Sequence, residues 1–126
     1  MKNLLFLLLL IPTIAMVQPD LGGITTALRS GNADALGSFF ADNVEIALMN
    51  SQDRYNRSDA VRIMKSFFMK NPVANYNPVH QGVSKGGNLY YAIGEMKSGA
   101  QTYRVYLLLE DNGGKYIIKQ LRVDQE

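Results

Sequence analysis

The sequence predicts an α+β domain in which helices cover one face of a bent antiparallel sheet. Three observations predict it: a strong hairpin from Tyr103 to Val123, an amphipathic helix from Ser58 to about Lys70, and a chain that is all strand and turn after Val73. In the hairpin, two β-rich runs flank Asp111-Asn112-Gly113-Gly114, residues that tolerate the positive φ of a tight turn. The strand period of two puts Tyr103, Val105, Leu107 and Leu109 on one face. In the second run it sends Ile117, Leu121 and Val123 one way and Tyr116, Ile118, Gln120 and Arg122 the other. A sheet with one apolar face must be covered on that face.

Taken in order, Pro19-Asp20 starts a first helix, with Asp20 as N-cap and Leu21, Ile24, Ala27 and Leu28 at helical spacing. Gly31 sits where a left-handed C-terminal residue belongs. Asn32 caps a second short helix, Ala33 to Ala41, that buries Leu36, Phe39 and Phe40. Asp42-Asn43 turns the chain into the alternating strand Val44 to Leu48, and a turn at Asn50 to Asp53 returns it as a short strand, Arg54 to Asn56. Ser58 and Asp59 cap the long helix, whose buried side carries Ala60, Val61, Met64, Phe67 and Phe68, and Asn71-Pro72 stops it. Val73 to Ser84 is an irregular extended segment broken by Asn77-Pro78, which fits an edge strand or a bulge. Lys85-Gly86-Gly87-Asn88 turns into Leu89 to Met96, where Leu89, Tyr91 and Ile93 share a face and Gly94 lets the sheet bend.

At 126 residues, with 47% hydrophobic and 19% charged content, the chain has the size and composition of one globular domain. A formal charge of +2 is too small to imply a nucleic-acid partner. Met1-Lys2-Asn3 followed by an unbroken apolar run from Leu4 to Ile11 has the form of a secretory signal. The expectation is a cleaved signal peptide over 1–17 and a domain over 18–126, exported to the periplasm or secreted. The apolar stretch is shorter than the roughly 20 residues of a spanning helix, so no stable membrane insertion is expected after cleavage. With no cysteine there is neither a lipid-attachment site nor a disulfide, and stability must come from the core.

The chain also resembles, in the order of its short motifs, the cone-shaped fold of the nuclear transport factor two and ketosteroid isomerase superfamily. Within it, the likeness is to a family of small exported bacterial proteins of unknown function. Phe39-Phe40 with Val44-Glu45-Ile46, Tyr55 to Ala60 entering the helix, Phe67-Phe68, and His80-Gln81-Gly82 carry that resemblance. Tyr91-Ala92-Ile93-Gly94, Tyr103-Arg104-Val105 and Tyr116-Ile117-Ile118 complete it. The resemblance implies a helix-covered cone with a blind-ended pocket that holds a small apolar ligand or becomes an active site. The residues expected to line it are Phe39, Phe40, Met64, Phe67, Phe68, Tyr91, Ile93, Val105, Leu107 and Leu121.

Catalysis in such a cavity needs a base on the apolar face, because removing a proton next to a carbonyl requires an unsolvated acceptor. Two candidates exist. Glu95 shares the face of Leu89, Tyr91 and Ile93, although its place at the strand end favours a solvated carboxylate. His80 is the sole histidine, and no carboxylate partner can be assigned to it by spacing. With no cysteine and one histidine, a zinc site lacks its usual ligands, and no cofactor motif or phosphate loop is present. On the reverse of the central hairpin, Tyr106, Leu108, Tyr116 and Ile118 form an aromatic and aliphatic patch expected to serve as a homodimer interface. The sequence thus reads as an exported binding or scaffold domain, taking a small apolar ligand in its pocket or a protein partner on its sheet. The alternative is a lyase or isomerase with Glu95 or His80 as general base.

Overall fold

A computed structural model describes residues 20–83 and 88–126. The expected signal segment 1–17 and the turn at 85–87 lie outside the described residues. Three helices, α1 (Gly22–Ser30), α2 (Ala33–Gly37) and α3 (Arg57–Lys70), precede or interrupt six strands. The strands are β1 (Phe40–Leu48), β2 (Ser51–Asn56), β3 (Asn75–Val83), β4 (Leu89–Ser98), β5 (Gln101–Asn112) and β6 (Lys115–Gln125). They form one bent sheet in the order β2-β1-β6-β5-β4-β3. Every neighbouring pair is antiparallel except β1 and β6, which run parallel, so the cone is closed by a mixed sheet rather than the antiparallel one expected.

The helix ends differ from the expected caps. Leu21, not Asp20, occupies the N-cap of α1, and the Asp20 carboxylate reaches over it to accept from the Gly22 N–H at 2.9 Å. Asn32 does cap α2, accepting from Ala35 N at 3.0 Å, but the helix stops at Gly37 and Phe40 already begins β1. Asn56 caps α3 by accepting from Asp59 N at 2.8 Å, while Ser58 is an exposed residue of the first turn. An asparagine two positions earlier wins because the last residue of β2 already has the extended backbone that an N-cap requires.

The meander β3 to β6 turns its inner face toward the helices. Tyr103, Val105, Leu107 and Leu109 all point inward from β5, and the two-residue turn Gly113-Gly114 has φ of 67° and 89°, the double positive φ of a tight hairpin. α3 lies against β1 and β2 with Ala60, Met64, Phe67 and Phe68 buried, and it reaches β5 where Phe67 meets Tyr103 edge-on at 5.7 Å. Burying each of these large side chains stabilises the fold by roughly 1.5–3 kcal/mol. α1 covers the other end of the cone, against β3, where Arg29 Nε donates to the Tyr76 carbonyl at 3.2 Å.

Two strands present faces other than those expected, for different reasons. In β6 the register skips Lys119 between the pairs Leu109–Ile118 and Leu108–Gln120. That bulge reverses the alternation, so Ile118 points inward together with Leu121 and Val123, and Tyr116 packs on the core against Tyr90. Tyr116 and Ile118 therefore do not belong to the outer face. In β4 the inner residues are Ala92, Gly94, Met96 and Ser98, while Leu89, Tyr91, Ile93 and Glu95 take the opposite face. β4 is apolar on both sides, so alternation alone does not choose the phase. Size chooses it, since the Tyr76 ring from β3 lies across Gly94, and a Cβ there would fall 2.2 Å from the Tyr76 hydroxyl.

The cap assignment is open to a direct check. Asn56→Ala costs about 1 kcal/mol of unfolding free energy and Ser58→Ala stays within about 0.5 kcal/mol, both read from urea denaturation midpoints; equal losses from the two variants would reject it.

Candidate functional site

The space under α3 is filled. Phe67 packs against Phe68 at 5.8 Å and against Tyr103, Met64 and Phe40 are buried, and the Tyr103 hydroxyl donates to Asn71 Oδ1 at 2.8 Å. Phe39 is partly buried, with its ring over Gly23 of α1. Val105 and Leu121 are fully enclosed in the same core.

The open volume lies instead under α1. A cleft of about 390 Å³ is bounded by Leu21, Ile24 and Thr25 of α1, Tyr76, Pro78, Val79, His80 and Gln81 of β3, Ala92 and Ile93 of β4, and Leu107 of β5. Of the residues assigned to a pocket from sequence, Ile93 and Leu107 reach it. Phe40, Met64, Phe67, Phe68, Val105 and Leu121 form the core beside it, and Tyr91 faces away. Other depressions of about 300 to 410 Å³ are lined in part by Lys, Arg, Asp or Glu, such as Lys65 and Asp34 or Arg54, Arg57 and Glu110. Among the described residues, the cleft under α1 has no such residue in its lining.

Its polar group of note is Tyr76, which is 2% exposed. The hydroxyl makes no hydrogen bond among the described residues, and its position over Gly94 carries it past the strand edge toward the interior. Burial pushes the phenol pKa up to about 12, against a smaller downward pull from the nearby Arg29 guanidinium. The phenol is therefore a neutral hydrogen-bond donor throughout the physiological range. Tyr116, at the far end of the sheet, is also held above the ordinary tyrosine value, by desolvation first and then by Asp111 and Tyr90.

Of the two candidate bases, His80 is in the lining of the cleft and Glu95 is not. Glu95 is on the outer face, paired in register with Arg104 of β5 and Asn77 of β3. His80 is exposed on the edge strand, where Nε2 shares a 2.8 Å hydrogen bond with the Tyr91 hydroxyl and the rings are 5.4 Å apart. The structure does not bring these two together, because Glu95 pairs in register with Asn77, on the other side of the Pro78–His80 irregularity from the histidine. Among the described residues no group of three or more His, Cys, Asp or Glu is placed to hold a metal ion. No helix among them is long and apolar enough to cross a membrane.

Local alternation does not single out Tyr76, because Pro78 and the register shift between Pro78 and His80 interrupt β3. The usable signal was Gly94, a residue without a side chain at a buried strand position, which asks for a large neighbour from the next strand.

The phenol makes stability depend on pH. Its folded pKa is raised from 10.0 to about 12, so the uncharged form stabilises the fold below pH 10, and that contribution disappears as pH rises toward about 12. Two units correspond to roughly 2.7 kcal/mol. Over that interval the wild type loses on the order of 2–3 kcal/mol more than Tyr76→Phe in parallel urea titrations, and equal losses would show that burial does not perturb the phenol.

A family model described as a domain of unknown function, DUF4783, matches residues 21–124. No curated protein matches the chain. Among solved structures, a DUF4783 family protein from Bacteroides ovatus is 27% identical with a TM-score of 0.76, the match covering 82% of this chain and 93% of that one. Another from Bacteroides uniformis is 26% identical, also at 0.76, covering 83% and 95%. A more distant likeness, of fold alone, is to an NTF2-like protein of unknown function from Shewanella baltica, at 11% identity and a TM-score of 0.64, covering 84% and 87%. With the match running from the residue before α1 to the end of β6, the chain belongs to the DUF4783 family and has the cone-shaped nuclear transport factor two-like fold.

Proposed function

We propose that the protein is an exported, non-catalytic binding domain whose cleft under α1 takes a small, uncharged, largely apolar molecule. The observation that carries this reading is the lining. Leu21, Ile24, Ala92 and Leu107 make an apolar floor and wall, Thr25, Tyr76 and Gln81 supply neutral polar groups, and among the described residues no Lys, Arg, Asp or Glu lines the cleft. The volume lies at the lower end of the roughly 300–1,000 Å³ typical of ligand pockets. A lyase or isomerase would need a base in this cleft, and Glu95 is not among the residues that line it. His80 reaches the rim but is held by Tyr91 in an exposed position. Export rests on the signal-like start of the sequence, Met1 to Val17.

A second reading is favoured by the outer face of the sheet. Tyr91 pairs in register with Leu108, and Ile93 with Tyr106, so four large apolar side chains form one half-buried block in the middle of the uncovered face. A block of this kind commonly meets another protein surface, and the reading is a homodimer formed through Tyr91, Ile93, Tyr106 and Leu108.

Native mass spectrometry of the protein isolated from its own cells tests the first reading. It shows a retained small neutral mass that is absent from a folded Ala92→Phe variant, and the chain mass reports removal of the first 17 or so residues; bare protein in both samples would defeat the ligand reading. Light scattering tests the second. Wild type gives twice the chain mass and Leu108→Glu the chain mass itself, whereas a wild-type monomer at working concentration would rule the dimer out.

A further inference from the structure

We infer that the molecule bound under α1 carries a hydrogen-bond-accepting oxygen, of the ketone or ester class, which the Tyr76 hydroxyl recognises. This rests on the cleft being a binding site. The argument starts from an imbalance: a hydroxyl on a residue only 2% exposed normally finds a partner within the protein. Here Arg29 donates its Nε–H to the Tyr76 backbone carbonyl. The hydroxyl has no hydrogen-bond partner among the described residues, yet it is not sealed away, since no buried side-chain oxygen or nitrogen lacks both a partner and access. Tyr76 is one of the residues that line the cleft.

The ring reaches this position only because Gly94 leaves β4 bare beneath it, so the phenol is delivered over the sheet interior instead of over its edge. Around it Ile24, Ala92 and Leu107 offer dispersion contacts and no charge. A ligand oxygen that accepts is satisfied by this donor, whereas a carboxylate would need a cation, and the lining holds no Lys or Arg among the described residues. The apolar body and a nearly buried phenol donor together suit a neutral carbonyl compound. Removing the donor leaves that carbonyl desolvated and unpaired, which weakens its binding but not that of a hydrocarbon of the same shape.

The test uses two matched bicyclic probes, 1-tetralone and tetralin, titrated against isotope-labelled wild type and Tyr76→Phe while amide shifts around Ile24, Ala92 and Leu107 are followed. Phenylalanine keeps the ring over Gly94, so the variant retains the cleft. The expected result is that Tyr76→Phe weakens 1-tetralone by about five- to tenfold and leaves tetralin within about twofold. A loss of equal size for both probes, or no loss for the ketone, overturns the role of Tyr76 while leaving the cleft as a binding site. Failure of both probes to shift those amides in the wild type overturns the binding site and the inference with it.

Discussion

The inner face of the β3 to β6 meander is the constraint from which the rest of the structure follows. Val105, Leu107, Leu109, Ile118, Leu121 and Val123 present a continuous apolar surface that has to leave water, and every one is buried. No disulfide assists, because the chain has no cysteine. Two helices divide the work. α3 seals the β1 and β2 side with Met64, Phe67 and Phe68, and α1 lies over the β3 side with Ile24, Ala27 and Leu28. α3 is five residues longer and carries two aromatic rings into the core, so its end of the cone is filled. α1 presents smaller side chains to β3 and β4, and the cleft remains beneath it.

The contact between Tyr76 and Gly94 links that packing to chemistry. A tyrosine on an edge strand would ordinarily put its hydroxyl in water. Here the bare backbone of β4 lets the ring lie inward, and the edge strand tolerates Pro78 because its outer N–H positions have no neighbour to bond. Arg29 then pins the Tyr76 backbone to α1. The helix that leaves the cleft open therefore also fixes the residue that gives it polarity.

Charge is arranged to keep the interior neutral. The ion pairs Arg57–Asp42, Lys65–Asp34 and Arg122–Asp124 all join exposed side chains, which makes each a minor contributor to stability. The candidate acid Glu95 belongs with this outer set, beside Arg104. The outer face is consequently an apolar block, Tyr91, Ile93, Tyr106 and Leu108, bordered by charge of both signs, while the cleft has apolar and polar side chains and, among the described residues, no Lys, Arg, Asp or Glu.

The sequence by itself determined the α+β class, the β5–β6 hairpin with its Gly113-Gly114 turn, the buried stripe of α3 and the edge-or-bulge character of β3, because each is written in local periodicity or turn chemistry. The tertiary structure alone decided which face of β4 points inward, since Leu89, Tyr91 and Ile93 are as apolar as the residues that won the core side. It also decided the direction of Ile118 and Tyr116, because one bulged residue, Lys119, inverts a pattern that local alternation reads as continuous. The parallel pairing of β1 with β6, and the meeting of Tyr76 with Gly94, join residues far apart along the chain. Such contacts leave no local period to read, and so the cleft became visible only when the strands were placed side by side.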